Sequence, residues 1–149
     1  MSYDHLFDFV NASVLPAWAM LILTPHWTWT KNLVHSMLWP LVLGGLYIAV
    51  FAGVIFFGQG TEGGGFTSIE GVRALFNSDA GIVIGWAHFL VFDLFVGAWC
   101  ARDAARRGFS HVLLIPCLLF CFMAGPVGLV LYAILRKVTG KGGWNLVER

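Results

Sequence analysis

Apolar residues run almost unbroken through four stretches, approximately 5–24, 35–57, 80–99 and 112–135, with short polar or glycine-rich joins between them. Each approaches the roughly 20 residues that a helix needs to cross about 30 Å of hydrocarbon. The pattern predicts an all-α integral membrane protein, a single transmembrane domain over residues 1–149 built as a bundle of four transmembrane helices. Between the second and third, Phe66, Ile69, Val72, Leu75 and Phe76 recur at helical spacing and predict a short interfacial helix. The preceding Gly58-Gln-Gly-Thr-Glu-Gly63 matches G-x-G-x-x-G but follows a membrane span rather than a strand, so it reads as a flexible connector and not a phosphate loop.

Turning at about 100° per residue sorts the third helix into two faces. Val83, Ile84, Ala87, Leu90, Val91, Leu94 and Ala98 form an aliphatic side expected to meet lipid. Gly81, Gly85, Trp86, His88, Phe89, Phe92, Asp93 and Gly97 form the side expected to face the bundle, with His88 and Asp93 roughly 140° apart at its margins. On the fourth, Cys117, Cys121, Gly125, Gly128 and Tyr132 fall within an arc of roughly 80°, a small-residue stripe of the kind that lets helices approach closely. Pro126 frees the Phe122 carbonyl there and predicts a kink beside a cavity. Gly45, Ala49 and Gly53 make a second stripe, and Asp4, Asp8 and Asn11 carry a polar face into the first helix.

Composition agrees with this pattern: 58% of residues are hydrophobic and 11% charged, against the roughly 45–50% apolar content of soluble domains. A net charge of +1, without a basic stripe, gives no case for nucleic acid as a partner. The amino-terminal Met-Ser-Tyr-Asp-His lacks the features of a secretory or organelle-targeting leader, so the first helix is expected to be retained. Cys100, Cys117 and Cys121 are expected to be reduced thiols. With four spans, Arg73, Arg136, Lys137, Lys141 and Arg149 oppose Lys31, Arg102, Arg106 and Arg107, a near balance that sets no orientation under the positive-inside rule.

The chemistry concentrates on His88 and Asp93, because an ionisable side chain inside a membrane span is costly and marks function by default. His88 lies about 13 Å along the third helix, a depth that Asn11 and Tyr132 also reach on theirs. An imidazole suits the role of base, and a carboxyl in an apolar pocket that of general acid. Trp86, Phe89, Phe92, Asn11, Gly125, Pro126 and Tyr132 are the candidate walls for a long apolar ligand. The five histidines show no metal-binding spacing, and no metal or other cofactor is expected. Most tryptophans, Trp18 among them, fall near segment ends and read as interfacial anchors.

Trp86-Ala-His-Phe-Leu-Val-Phe-Asp-Leu-Phe-Val-Gly97, with Arg102-Asp103, Arg107-Gly108, Pro116-Cys-Leu-Leu and Phe122-Met-Ala-Gly-Pro-Val-Gly-Leu-Val-Leu-Tyr132, resembles the abscisic-acid-deficient-type family of small four-helix membrane proteins, whose plant members are linked to neoxanthin synthesis. The likeness runs from about Asp8 to Arg136. It implies a carotenoid isomerase that opens an epoxide of violaxanthin and removes a proton to give an allene, without redox change. The chain's look of a bacterial inner-membrane protein leaves another carotenoid or polyene open as substrate. A non-catalytic module that binds a carotenoid or another membrane protein is the alternative. A structural subunit, its glycine stripes forming a homo-oligomer, is the third reading.

Overall fold

In the computed structural model, which describes residues 2–57 and 61–145, the elements are helical throughout. Helix α1 spans Tyr3–Leu23, α2 Leu38–Phe56, α3 Ile69–Leu75 and α4 Asp79–Arg106; α5 spans His111–Met123 and α6 Gly125–Val138, and a π-helical turn, Thr30–Val34, leads into α2. Residues 58–60 of the glycine connector lie outside the described part. Serines start three of the helices: Ser2, Ser68 and Ser78 accept hydrogen bonds from the backbone N–H groups of His5, Gly71 and Gly81, which have no partner within their own helices. Helices α1, α2 and α4 are long and apolar enough to cross a membrane, and the chain is an integral membrane protein.

The fourth apolar stretch forms two helices rather than one. Ala124 is extended (φ −161°, ψ 81°), and after it the chain folds back, so that Gly128 of α6 lies against the backbone of Cys117 and Cys121 of α5. Pro126 falls at the start of α6, where a missing N–H costs nothing, so the proline expected to kink a span instead begins a helix. The small residues expected as one stripe therefore face each other across the hairpin, and all three cysteines are free and buried.

Helix α4 is the centre of the packing. It outruns the expected 80–99 because its last two turns carry Asp103, which pairs at i,i+4 with Arg107. Its aliphatic and aromatic residues lie opposite to the expectation, while Gly97 is buried as expected. Val83, Ala87, Leu90, Leu94 and Ala98 are buried in the core, whereas Trp86, Phe89 and Phe92 are 41%, 54% and 54% exposed. Helices surround α4 on its aliphatic side, where small side chains permit close approach and bulky rings do not. Trp18 is likewise core rather than anchor: its ring sits where a Cβ on Gly97 would lie and meets Phe122 edge-on at 5.5 Å.

Candidate functional site

Asp93 stands at mid-length of α4, where the hairpin tip arrives. The Asp93 carboxylate lies against Gly125 at the open start of α6, close enough for the Gly125 N–H to act on its charge. In hydrocarbon that N–H would otherwise have no acceptor, so α4 supplies the cap that the tip does not provide for itself. Gly125 is required at this spot, because a Cβ there would overlap the Asp93 carboxylate.

Between α4 and the tip runs a groove of about 490 Å³, within the range of small-molecule sites. Trp86, His88, Phe89, Phe92 and Asp93 form one wall; Phe122, Gly125, Pro126 and Leu129 form the other. The imidazole of His88 lies 4.7 Å from the Phe92 ring and 6.0 Å from that of Tyr47. His88 and Phe89 also line a second apolar groove, of about 250 Å³, which continues around α4 between α2 and α3 past Tyr47, Phe51 and Phe76. The linings are overwhelmingly carbon, which suits a long apolar ligand better than a compact polar one.

The structure thus brings seven of the nine expected site residues to one groove: Trp86, His88, Phe89, Phe92, Asp93, Gly125 and Pro126. Asn11 stands behind it. Its side-chain oxygen accepts a hydrogen bond from Trp86 Nε1 at 2.8 Å, while Phe7 lies 5.8 Å from the Trp86 ring, so α1 fixes the indole in place. Tyr132 does not belong to the site. Because α6 runs away from the tip, the Tyr132 hydroxyl is carried to the far end of α4, where it donates to Asp103 Oδ2 at 2.6 Å.

That far end holds a buried polar network. Arg107 Nε donates to Asp103 Oδ2 at 2.8 Å, and Arg136 Nε stands 3.5 Å from the same oxygen, an ion pair without hydrogen-bond geometry. Arg136 also donates to the Asn145 carbonyl at 2.9 Å. The Asp103–Arg107 spacing was the available sequence signal for it. Tyr47 and Phe51, stacked at 5.9 Å beside His88, escaped the sequence reading as an i,i+4 aromatic pair among many apolar residues. Among the described residues, no three His, Cys, Asp or Glu side chains gather closely enough to hold a metal ion.

A family model described as ABA DEFICIENT 4-like matches residues 5–132. The chain is 26% identical over 143 residues to the Arabidopsis thaliana protein named "Protein ABA DEFICIENT 4, chloroplastic", an alignment that covers 91% of this chain and 62% of that protein. The chain therefore spans less than two thirds of that relative's length. No solved structure matches it.

Proposed function

Since the chain belongs to the ABA DEFICIENT 4-like family, whose membership is consistent with a role in carotenoid metabolism, we propose that it isomerises a carotenoid-like polyene within the groove between α4 and the hairpin tip. The observation that carries this reading is that Asp93 and His88 open onto one apolar, aromatic-walled groove. Asp93 protonates an epoxide oxygen as the C–O bond opens, and His88 takes a proton from the adjoining vinylic carbon, leaving an allene and a hydroxyl. One proton is given and one taken, so the product has the mass of the substrate and no oxidant is consumed. Phe89, Phe92 and Trp86 hold the chain of conjugated bonds by ring contact and exclude water from the reacting carbons.

Asp93 also lies against the Gly125 backbone, which favours a second reading: a binding module in which the carboxylate serves only to hold the tip. Asp93→Asn separates the two. Asparagine keeps an acceptor oxygen for Gly125 but cannot supply the acid proton. The test is expression in a host that accumulates epoxidised carotenoids, with pigments compared by chromatography and mass spectrometry. A new isomer of unchanged mass is expected with the native chain. Loss of at least about a hundredfold in its formation is expected with Asp93→Asn or His88→Ala, the scale of a missing general acid or base. Co-purified but unconverted pigment supports the binding module, and an Asp93→Asn chain of full activity removes Asp93 from the chemistry.

The same reading includes how the chain meets the bilayer. Helices α5 and α6, 13 and 14 residues long, extend only about 20 Å each, short of the hydrocarbon thickness. We take them as a re-entrant pair that enters from the α4 carboxyl end and turns at the depth of Asp93. Non-helical backbone at that depth is tolerated because Ala124 and Gly125 line the groove and Asp93 caps the turn.

A further inference from the structure

Where α1 ends, α4 ends and α5 begins, a pocket of about 400 Å³ opens that the proposed reaction does not use. Lys31, Arg102 and Arg106 line it together with His26, His35 and His111. Three separate stretches of chain deliver these groups: the join before α2, the last turn of α4 and the first residue of α5. The placement is fixed locally. His111 Nε2 lies 2.9 Å from the carbonyl of Ile22 and ties α5 to the end of α1. Thr30, fully buried, donates to the Thr24 carbonyl at 2.6 Å and sets the path of the join that carries Lys31.

His35 shows what the pocket does to charge. Burial, together with the cations Arg102 and Lys31, pushes its imidazole down to about 4, so the ring is neutral at physiological pH. Its Nδ1 is buried and has no hydrogen-bond partner in the protein. That buried nitrogen does not open onto the pocket, so the attraction for an oxygen-rich anion comes from Lys31, Arg102 and Arg106, which line the pocket. The floor is apolar, with Leu114 and Phe109, and Leu23, Val112 and Leu113 stand exposed at the end of α1 and the start of α5. A polar pocket over exposed aliphatic side chains suits an amphiphile, head inward and chains along the helices.

We propose that this pocket binds the phosphate headgroup of an anionic phospholipid, with the acyl chains lying against the exposed ends of α1 and α5. Basic pockets between membrane helices are suited to such headgroups, and the phosphate oxygens meet the cations Lys31, Arg102 and Arg106. The site is at the opposite end of α4 from the His88 groove, so it is occupied whether or not a carotenoid is present.

The full chain, purified in mild detergent, tests this by native mass spectrometry and thermal unfolding with added phosphatidylglycerol, phosphatidylcholine or inorganic phosphate. Phosphatidylglycerol is expected to stay bound in one-to-one stoichiometry and to raise the unfolding midpoint, with phosphatidylcholine doing neither. Lys31→Gln, a change at an exposed position of the π-helical turn, and Arg102→Gln should each weaken retention about fivefold. Equal retention of both lipids, or undiminished phosphatidylglycerol in both variants, overturns the proposal. An equal rise in the midpoint with inorganic phosphate alone replaces the lipid with a free anion and overturns it too.

Discussion

Asp103 receives three partners at one buried oxygen, and the energetics of that convergence are open to direct measurement. Tyr132→Phe removes a 2.6 Å hydrogen bond to a charged acceptor and should cost about 1.5–3 kcal/mol. Asp103→Ala leaves the buried Arg136 without its carboxylate and should cost more, about 3–5 kcal/mol. Thermal midpoints in detergent should fall in that order, and a Tyr132→Phe protein as stable as the parent would show that the bond makes no net contribution. His35 gives a dependence on pH. Its folded value is about 4 and its unfolded value that of ordinary histidine, about 6.5. The unfolded chain therefore takes up the proton first, so stability is full above about pH 6.5 and declines as pH falls toward 4. Replacing His35 by Asn should flatten that decline in a series of unfolding midpoints.

Among the elements, the α5–α6 hairpin depends on close backbone approach rather than on side-chain interlocking. A Cβ on Gly128 would lie 2.6 Å from the Cys117 carbonyl oxygen and would also overlap Cys121, so the two helices must separate to admit it. Gly128→Ala should destabilise by about 1–3 kcal/mol, the usual cost of overpacking, despite alanine's better helix propensity. A midpoint equal to the parent's would mean that the hairpin opens freely. The sequence placed Gly125, Pro126 and Gly128 together and marked a break, but periodicity alone reads a kinked span and a folded-back pair alike. Reversal of the chain at Ala124 brings the tip against Asp93 on α4, 32 residues before Gly125 and invisible to any local window.

For the whole molecule, the hairpin changes the charge balance across the bilayer. If α6 returns to the side on which it entered, Lys31, Arg102, Arg106, Arg107, Arg136, Lys137 and Lys141 share one face, seven cations, and Arg73 stands alone on the other among the described residues. Lys141 binds the Gly108 carbonyl and Arg107 donates to the Lys141 carbonyl at 3.0 Å, which fixes the tail beside the α4 carboxyl end. The positive-inside rule then puts that face in the cytoplasm and the amino terminus outside. A carboxyl-terminal fluorescent fusion should be bright and an amino-terminal tag accessible to label from outside in intact cells; both termini on one side of the membrane would return the chain to four spans. By itself the sequence determined that the protein is helical and membrane-embedded, and that His88 and Asp93 are unusual there, because hydropathy and the cost of buried charge are properties of single segments. Of the nine site residues it named, seven line the groove, since the groove is built largely from one helix and one short motif. Only the tertiary structure decided which face of α4 is inside, that Trp18 is core, and that Tyr132 serves Asp103 rather than the groove. Those outcomes follow from which helices surround α4 and where the chain turns back, and in a membrane both faces of such a helix are apolar, so hydrophobicity gives no sign of which one the protein keeps.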